Sequence, residues 1–90
     1  MPAPREKIDE ALEVLGLPRM VTAREVKERY RALARRHHPD RPEGDAGRMR
    51  QIQEAYDVLK EYMENFRFRF DDEEIARQFP EREHNERFKF

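Results

Sequence analysis

The chain has no cysteine, so a disulfide staple, a thiolate zinc site and a thiol nucleophile are all excluded. It has no serine either, and Thr22 is its only aliphatic hydroxyl, which nearly removes hydroxyl nucleophiles as well. No apolar run approaches the roughly 18 residues of a membrane span, and the first residues lack the apolar stretch of a secretory signal. Repeats and low-complexity tracts are absent, and no nucleophile, base and orienting group fall into a catalytic constellation. These gaps point to a soluble, cytoplasmic module that is not an enzyme and holds no cofactor.

What is present is charge. Ninety residues make one small domain with a thin core, and 43% of them are charged against 37% hydrophobic. The balance is nearly even, 19 Lys+Arg against 20 Asp+Glu, and nine residues are aromatic, which argues for a folded domain over a disordered charged tail. The signs are unevenly placed. Residues 23–41 carry net +4 and residues 71–90 carry net −3. One element therefore holds the cationic surface.

Three helices are predicted from spacing and caps. The first covers residues 4–15: Pro4 suits a first turn, Ile8, Ala11, Leu12 and Leu15 recur at helical spacing, and Gly16 and Pro18 stop it. The second begins after Thr22, where Thr22 and Glu25 fit a capping box and Val21 and Val26 a hydrophobic staple. Val26, Tyr30, Leu33, Ala34 and His37 share its apolar face. Arg24, Lys27, Arg31 and Arg35 form a cationic stripe about 100° round from it. Pro39 biases His38 to extended geometry, so this helix ends near His37. Residues 38–47 read as an irregular loop with two prolines and two glycines. The third helix runs from Ala46 or Gly47 to Asn65, with Asp45 as N-cap, and Met49, Ile52, Tyr56, Leu59, Met63 and Phe66 form a seam suited to antiparallel packing on the second helix.

The junction Ala34-Arg35-Arg36-His37-His38-Pro39-Asp40-Arg41 breaks a basic helix with a proline and displays a carboxylate among arginines. Most His-Pro pairs are ordinary loop, and most basic helices are solvated faces. A metal site at His37, His38 and Asp40 is disfavoured, because adjacent histidines point apart and His84 is remote.

The combination resembles the J domain of DnaJ-like co-chaperones. The matching stretches are Tyr30-Arg31-Ala32-Leu33-Ala34-Arg35-Arg36-His37-His38-Pro39-Asp40-Arg41 and Gln51-Ile52-Gln53-Glu54-Ala55-Tyr56-Asp57-Val58-Leu59, with Leu15-Gly16-Leu17 similar to the end of the family's first helix. Residues 8–65 carry the likeness. It implies a mainly all-α fold built on an antiparallel helical hairpin with a short first helix. It also implies a partner, a DnaK-type heat-shock chaperone whose ATP hydrolysis the domain stimulates. On that resemblance His38, Pro39 and Asp40 are the trigger, and Lys27, Arg31, Arg41 and Arg50 match basic positions that meet an acidic surface. Arg24, Arg35 and Arg36 extend the same patch on physical grounds. Ala32 stands where the family is often basic, which implies a weaker patch at that point.

The family's basic fourth helix is not visible. Residues 1–65 are expected to form the J domain, and residues 66–90 an aromatic and acidic extension packed on or beside it. Phe66-Arg67-Phe68-Arg69-Phe70 alternates strictly, which in a strand sets three rings on one face. Asp71-Asp72-Glu73-Glu74 opens a short helix carrying Ile75 and Phe79 and stopped by Pro80. Arg87-Phe88-Lys89-Phe90 is a second alternating stretch, and the two are expected to pair or to cover the ends of the helical body. A client or scaffold contact through this tail is the alternative role. Two rival functions remain: a nucleic-acid-binding helical module, disfavoured by the net charge of −1, and a J-like scaffold that activates nothing, disfavoured by the intact His38-Pro39-Asp40.

Overall fold

The computed structural model describes residues 4–41 and 44–80. They form four helices: α1 (Pro4–Leu15), α2 (Ala23–His37), α3 (Ala46–Glu64) and α4 (Asp72–Gln78). Each boundary has a local chemical cause. Gly16 adopts φ +68°, its N–H donates to the Glu13 carbonyl, and the Leu17 N–H reaches back to the Leu12 carbonyl at 2.8 Å. That pair of bonds is the Schellman ending, which glycine enters without a Cβ penalty. At the start of α2 the Thr22 N–H donates to Glu25 Oε1 at 2.8 Å and the Glu25 N–H to Thr22 Oγ1 at 3.1 Å, so the capping box forms in full. The same backbone hydrogen bond holds the Glu25 carboxyl below the usual carboxylate range. Asp45 caps α3 by accepting from the Gly47 and Arg48 N–H groups.

The core is eight residues deep in three helices: Ala11, Leu12 and Leu15 from α1, Val26 and Leu33 from α2, and Ile52, Ala55 and Leu59 from α3. Helix α3 is the shared wall. It runs back antiparallel to α2, and α1 lies mainly against α3 while only grazing α2. On the hairpin's flank Tyr30 stacks on Tyr56, with centroids 4.1 Å apart and planes 12° apart, and the Tyr30 hydroxyl donates to Gln53 Oε1 at 2.5 Å. The ring pair fixes the rotation of the two helices while satisfying the hydroxyl.

Helix α1 has no basic residue in its own last turn. Its free carbonyls are served from the other helices: Arg29 Nε donates to the Leu15 carbonyl at 2.8 Å, and an Arg48 terminal nitrogen lies 3.5 Å from the Val14 carbonyl. Cations there also complement the negative end of the helix dipole.

The tail departs from expectation in one respect. Residues 66–70 form no strand among the described residues, because a single segment with no paired neighbour there has no ladder to join. The second alternating stretch, residues 87–90, lies outside the described residues. The rings do line up as the alternation implies, in a chain Tyr62–Phe66–Phe68–Phe70 with successive centroids 5.8, 5.3 and 6.4 Å apart. Phe66 lies against the ends of α1 and α3, in a groove with Ile8 and Val58, whereas Phe68 and Phe70 are 68% and 81% exposed. The short acidic helix is present as α4, with Asp71 as its N-cap and three acids in its first turn. Among the described residues it does not pack against α1, α2 or α3. Its inner side instead closes over residues 66–70, with Ile75 and Phe79 lining the shared groove.

Candidate functional site

The loop between α2 and α3 opens on a tight turn. His38 is the C-cap of α2, at φ −60° and ψ 135°. The Arg41 N–H donates to the His38 carbonyl at 3.0 Å, so residues 38–41 form a β-turn with Pro39 at the second position, where its fixed φ is favoured. The Gly44 N–H then donates to the Arg41 carbonyl, and the Asp45 N–H closes the base on the His37 carbonyl at 3.3 Å. Gly44 is required sterically: a Cβ there would fall onto the His38 carbonyl and 2.6 Å from its carbon.

This turn fixes the two side chains on either side of the proline. The Asp40 N–H donates to His38 Nδ1 at 3.1 Å, so Nδ1 is the lone-pair nitrogen and the ring proton sits on Nε2. The Asp40 carboxylate, 3.6 Å from that Nδ1, is 91% exposed. Arg35, Arg36 and Arg41 surround it in sequence, yet none forms an ion pair with it. Among the described residues the carboxylate is held out on this turn with His38 beside it and no Arg or Lys partner.

The cations divide by occupation. Arg19 pairs with Asp9, Arg29 and Arg48 cap α1, and Arg69 and Arg77 hold the acids around α4. Arg24, Lys27, Arg31, Arg35, Arg36, Arg41 and Arg50 are exposed, and their side chains have no hydrogen-bond or ion-pair partner among the described residues. Arg24, Lys27 and Arg31 come together on one trough between the start of α2 and the end of α3, floored by Tyr56 and Met63. Arg35 lies one helical turn beyond Arg31 on α2, Arg36 and Arg41 flank the turn in sequence, and Arg50 stands in the first turns of α3, outside the trough.

One residue of this surface was not among the sequence candidates. Lys60 of α3 lines the trough opposite Lys27 and Arg31. Its signal was available in the helical register, since it lies one turn beyond Tyr56, whose ring faces Tyr30. Glu28 and Glu64 edge the same trough, so the cationic character there is diluted at its rim.

Comparison with known proteins shows the family. The sequence profile of the DnaJ domain matches residues 10–71. The chain is 50% identical over 52 residues to the chaperone protein DnaJ of Acidiphilium cryptum (strain JF-5), and 46% identical over 52 residues to that of Rhodospirillum centenum (strain ATCC 51521 / SW). In both cases the aligned part is 54% of this chain and 14% of the relative. No solved structure matches. With three helices, a capped His-Pro-Asp turn and a profile match over most of its length, the chain belongs to the DnaJ domain family.

Proposed function

We propose that this chain is a cytoplasmic co-chaperone module that binds a DnaK-type chaperone in its ATP state and stimulates its hydrolysis, with no catalysis of its own. Residues 1–65 act as the J domain. His38, Pro39 and Asp40 are the trigger, and Arg24, Lys27, Arg31, Arg35, Arg36, Arg41 and Arg50 are the docking face, joined by Lys60. The observation that carries this reading is the exposed Asp40 carboxylate, which meets no Arg or Lys among the described residues, on a turn shaped by His38 and Pro39. A carboxylate so displayed gains most when it meets a cation on a partner, there completing or competing for an ion-pair network that governs the partner's nucleotide step. His38 supplies the lock through Nδ1 and leaves Nε2–H as a donor to the partner. Pro39 supplies the turn.

The effect on the partner is allosteric. The module must bind the hydrolysis-competent conformer more tightly than the resting one, and only that difference in affinity accelerates turnover. The docking cations steer encounter and orientation, each worth about 1 kcal/mol or less at an exposed rim. To the segment that follows residue 65 we assign a client or scaffold contact, supported by the exposure of Phe68 and Phe70. A nucleic-acid role has less support, since the chain carries a net charge of −1.

The direct test is single-turnover ATP hydrolysis by a DnaK-type chaperone with the wild-type chain and with His38→Gln. The folded variant is expected to lose stimulation. Equal stimulation would remove the trigger from this turn.

A further inference from the structure

The trough between α2 and α3 holds carboxylates as well as cations. Along α2, Arg24, Lys27, Glu28 and Arg31 recur at spacings that share one helical face, and α3 contributes Lys60 and Glu64, one turn apart. Glu28 and Glu64 are exposed, and among the described residues neither side chain takes part in an ion pair or a hydrogen bond. Each has a cation four residues before it in its own helix, Arg24 for Glu28 and Lys60 for Glu64. A cation ahead of an acid is the weaker order for such a pair, which leaves both acids free. Charges of both signs therefore stand uncompensated in the trough.

Their order along the trough follows from the hairpin. Tyr30 stacks on Tyr56 and the two helices run antiparallel, so counting back along α2 and forward along α3 brings Lys60 level with Val26 and Glu64 level with Thr22. Glu64 marks the outer end, Arg24, Lys27 and Lys60 occupy the middle, Glu28 follows, and Arg31 stands nearest the His38-Pro39-Asp40 turn. At the helical rise, the backbone positions of the two acids are about 9 Å apart along the axis. A uniformly acidic partner surface would meet a like charge at both acids, and such juxtaposition suppresses binding. We propose that Glu28 and Glu64 set partner specificity. The chaperone surface that fits is acidic opposite Arg24, Lys27, Lys60 and Arg31, and it carries a cation opposite each of the two carboxylates. A surface with carboxylates at those two points is rejected by repulsion. This rests on the reading of the trough as the docking face and gives that face a charge order.

The test is single-turnover hydrolysis by the DnaK-type chaperone of the same cell, titrated with the full chain and read as a midpoint and a plateau. Glu28→Lys and Glu64→Lys should each raise the midpoint about threefold, and together about tenfold, with the plateau and the helical circular dichroism kept. Glu28→Gln and Glu64→Gln should raise it less, since they remove the attraction without adding repulsion. Reversing one exposed cation on the chaperone's docking surface to Glu should return Glu28→Lys to within about twofold of wild type. If the two acids only dilute a basic patch, charge reversal makes the patch more basic and lowers the midpoint. A lowered or unchanged midpoint would overturn the proposal, as would the failure of every such reversal on the chaperone to restore either variant. Lys27→Glu combined with Arg31→Glu separates this failure from that of the docking face. A raised midpoint for that pair beside a lowered one for Glu28→Lys keeps the face and removes the charge order. An unchanged midpoint for that pair removes both.

Discussion

Arg29 and Arg31 stand two residues apart on α2 and do different work. Arg29 turns toward α1 and donates to the Leu15 carbonyl, with its guanidinium against Gly16, whereas Arg31 lines the open trough without a partner. Arg29→Ala is therefore expected to cost about 1 kcal/mol in urea unfolding, the usual worth of a charged hydrogen bond discounted for exposure. Arg31→Ala should stay within about 0.5 kcal/mol of wild type and instead weaken chaperone binding by up to about fivefold. Gly44→Ala belongs at the same scale: its Cβ would displace the His38 carbonyl, so stimulation should fall while circular dichroism retains the helices. Sequence alone separates none of these, since register tells which way a side chain leaves the helix but not whether a carbonyl waits there.

At the scale of elements, legibility followed local chemistry. The limits of α1, α2 and α3 were readable because each is set by residues adjacent in sequence: Gly16 and Pro18, Thr22 with Glu25, Pro39, and Asp45. The alternation at residues 66–70 was readable as a row of rings but not as a strand, because pairing depends on a partner that local pattern does not encode. Lys60 was missed although its register one turn beyond Tyr56 pointed to it, because the cationic stripe was sought on α2 alone. The capping box makes a pH prediction. The folded Glu25 carboxyl is held below its ordinary range by the Thr22 N–H, so its contribution is full above that range and is lost as pH falls through the folded value. Glu25→Gln, which keeps the acceptor but not the charge, should be less stable near neutral pH. The gap should narrow on acidification in thermal melts. A wild-type and variant pair with parallel acid limbs would remove the role assigned to that carboxylate.

For the whole molecule, a small core holds a turn and a charged face in fixed relation. Leu15 and Ile52 are completely buried, and replacing either by alanine should cost about 2–5 kcal/mol, a large share of the roughly 5–15 kcal/mol that a domain commands. The docking face is exposed, so association with the chaperone should weaken steeply as salt rises, while a buried apolar interface would not respond. Turn and face are separable in a single titration. Single-turnover hydrolysis by a DnaK-type chaperone, followed against increasing concentration of this chain, gives a plateau and a midpoint. His38→Gln and Asp40→Asn are expected to lower the plateau, and Lys27→Glu combined with Arg31→Glu to raise the midpoint about tenfold with the plateau kept. A folded His38→Gln chain that reaches the wild-type plateau would contradict the assignment of this turn as the trigger.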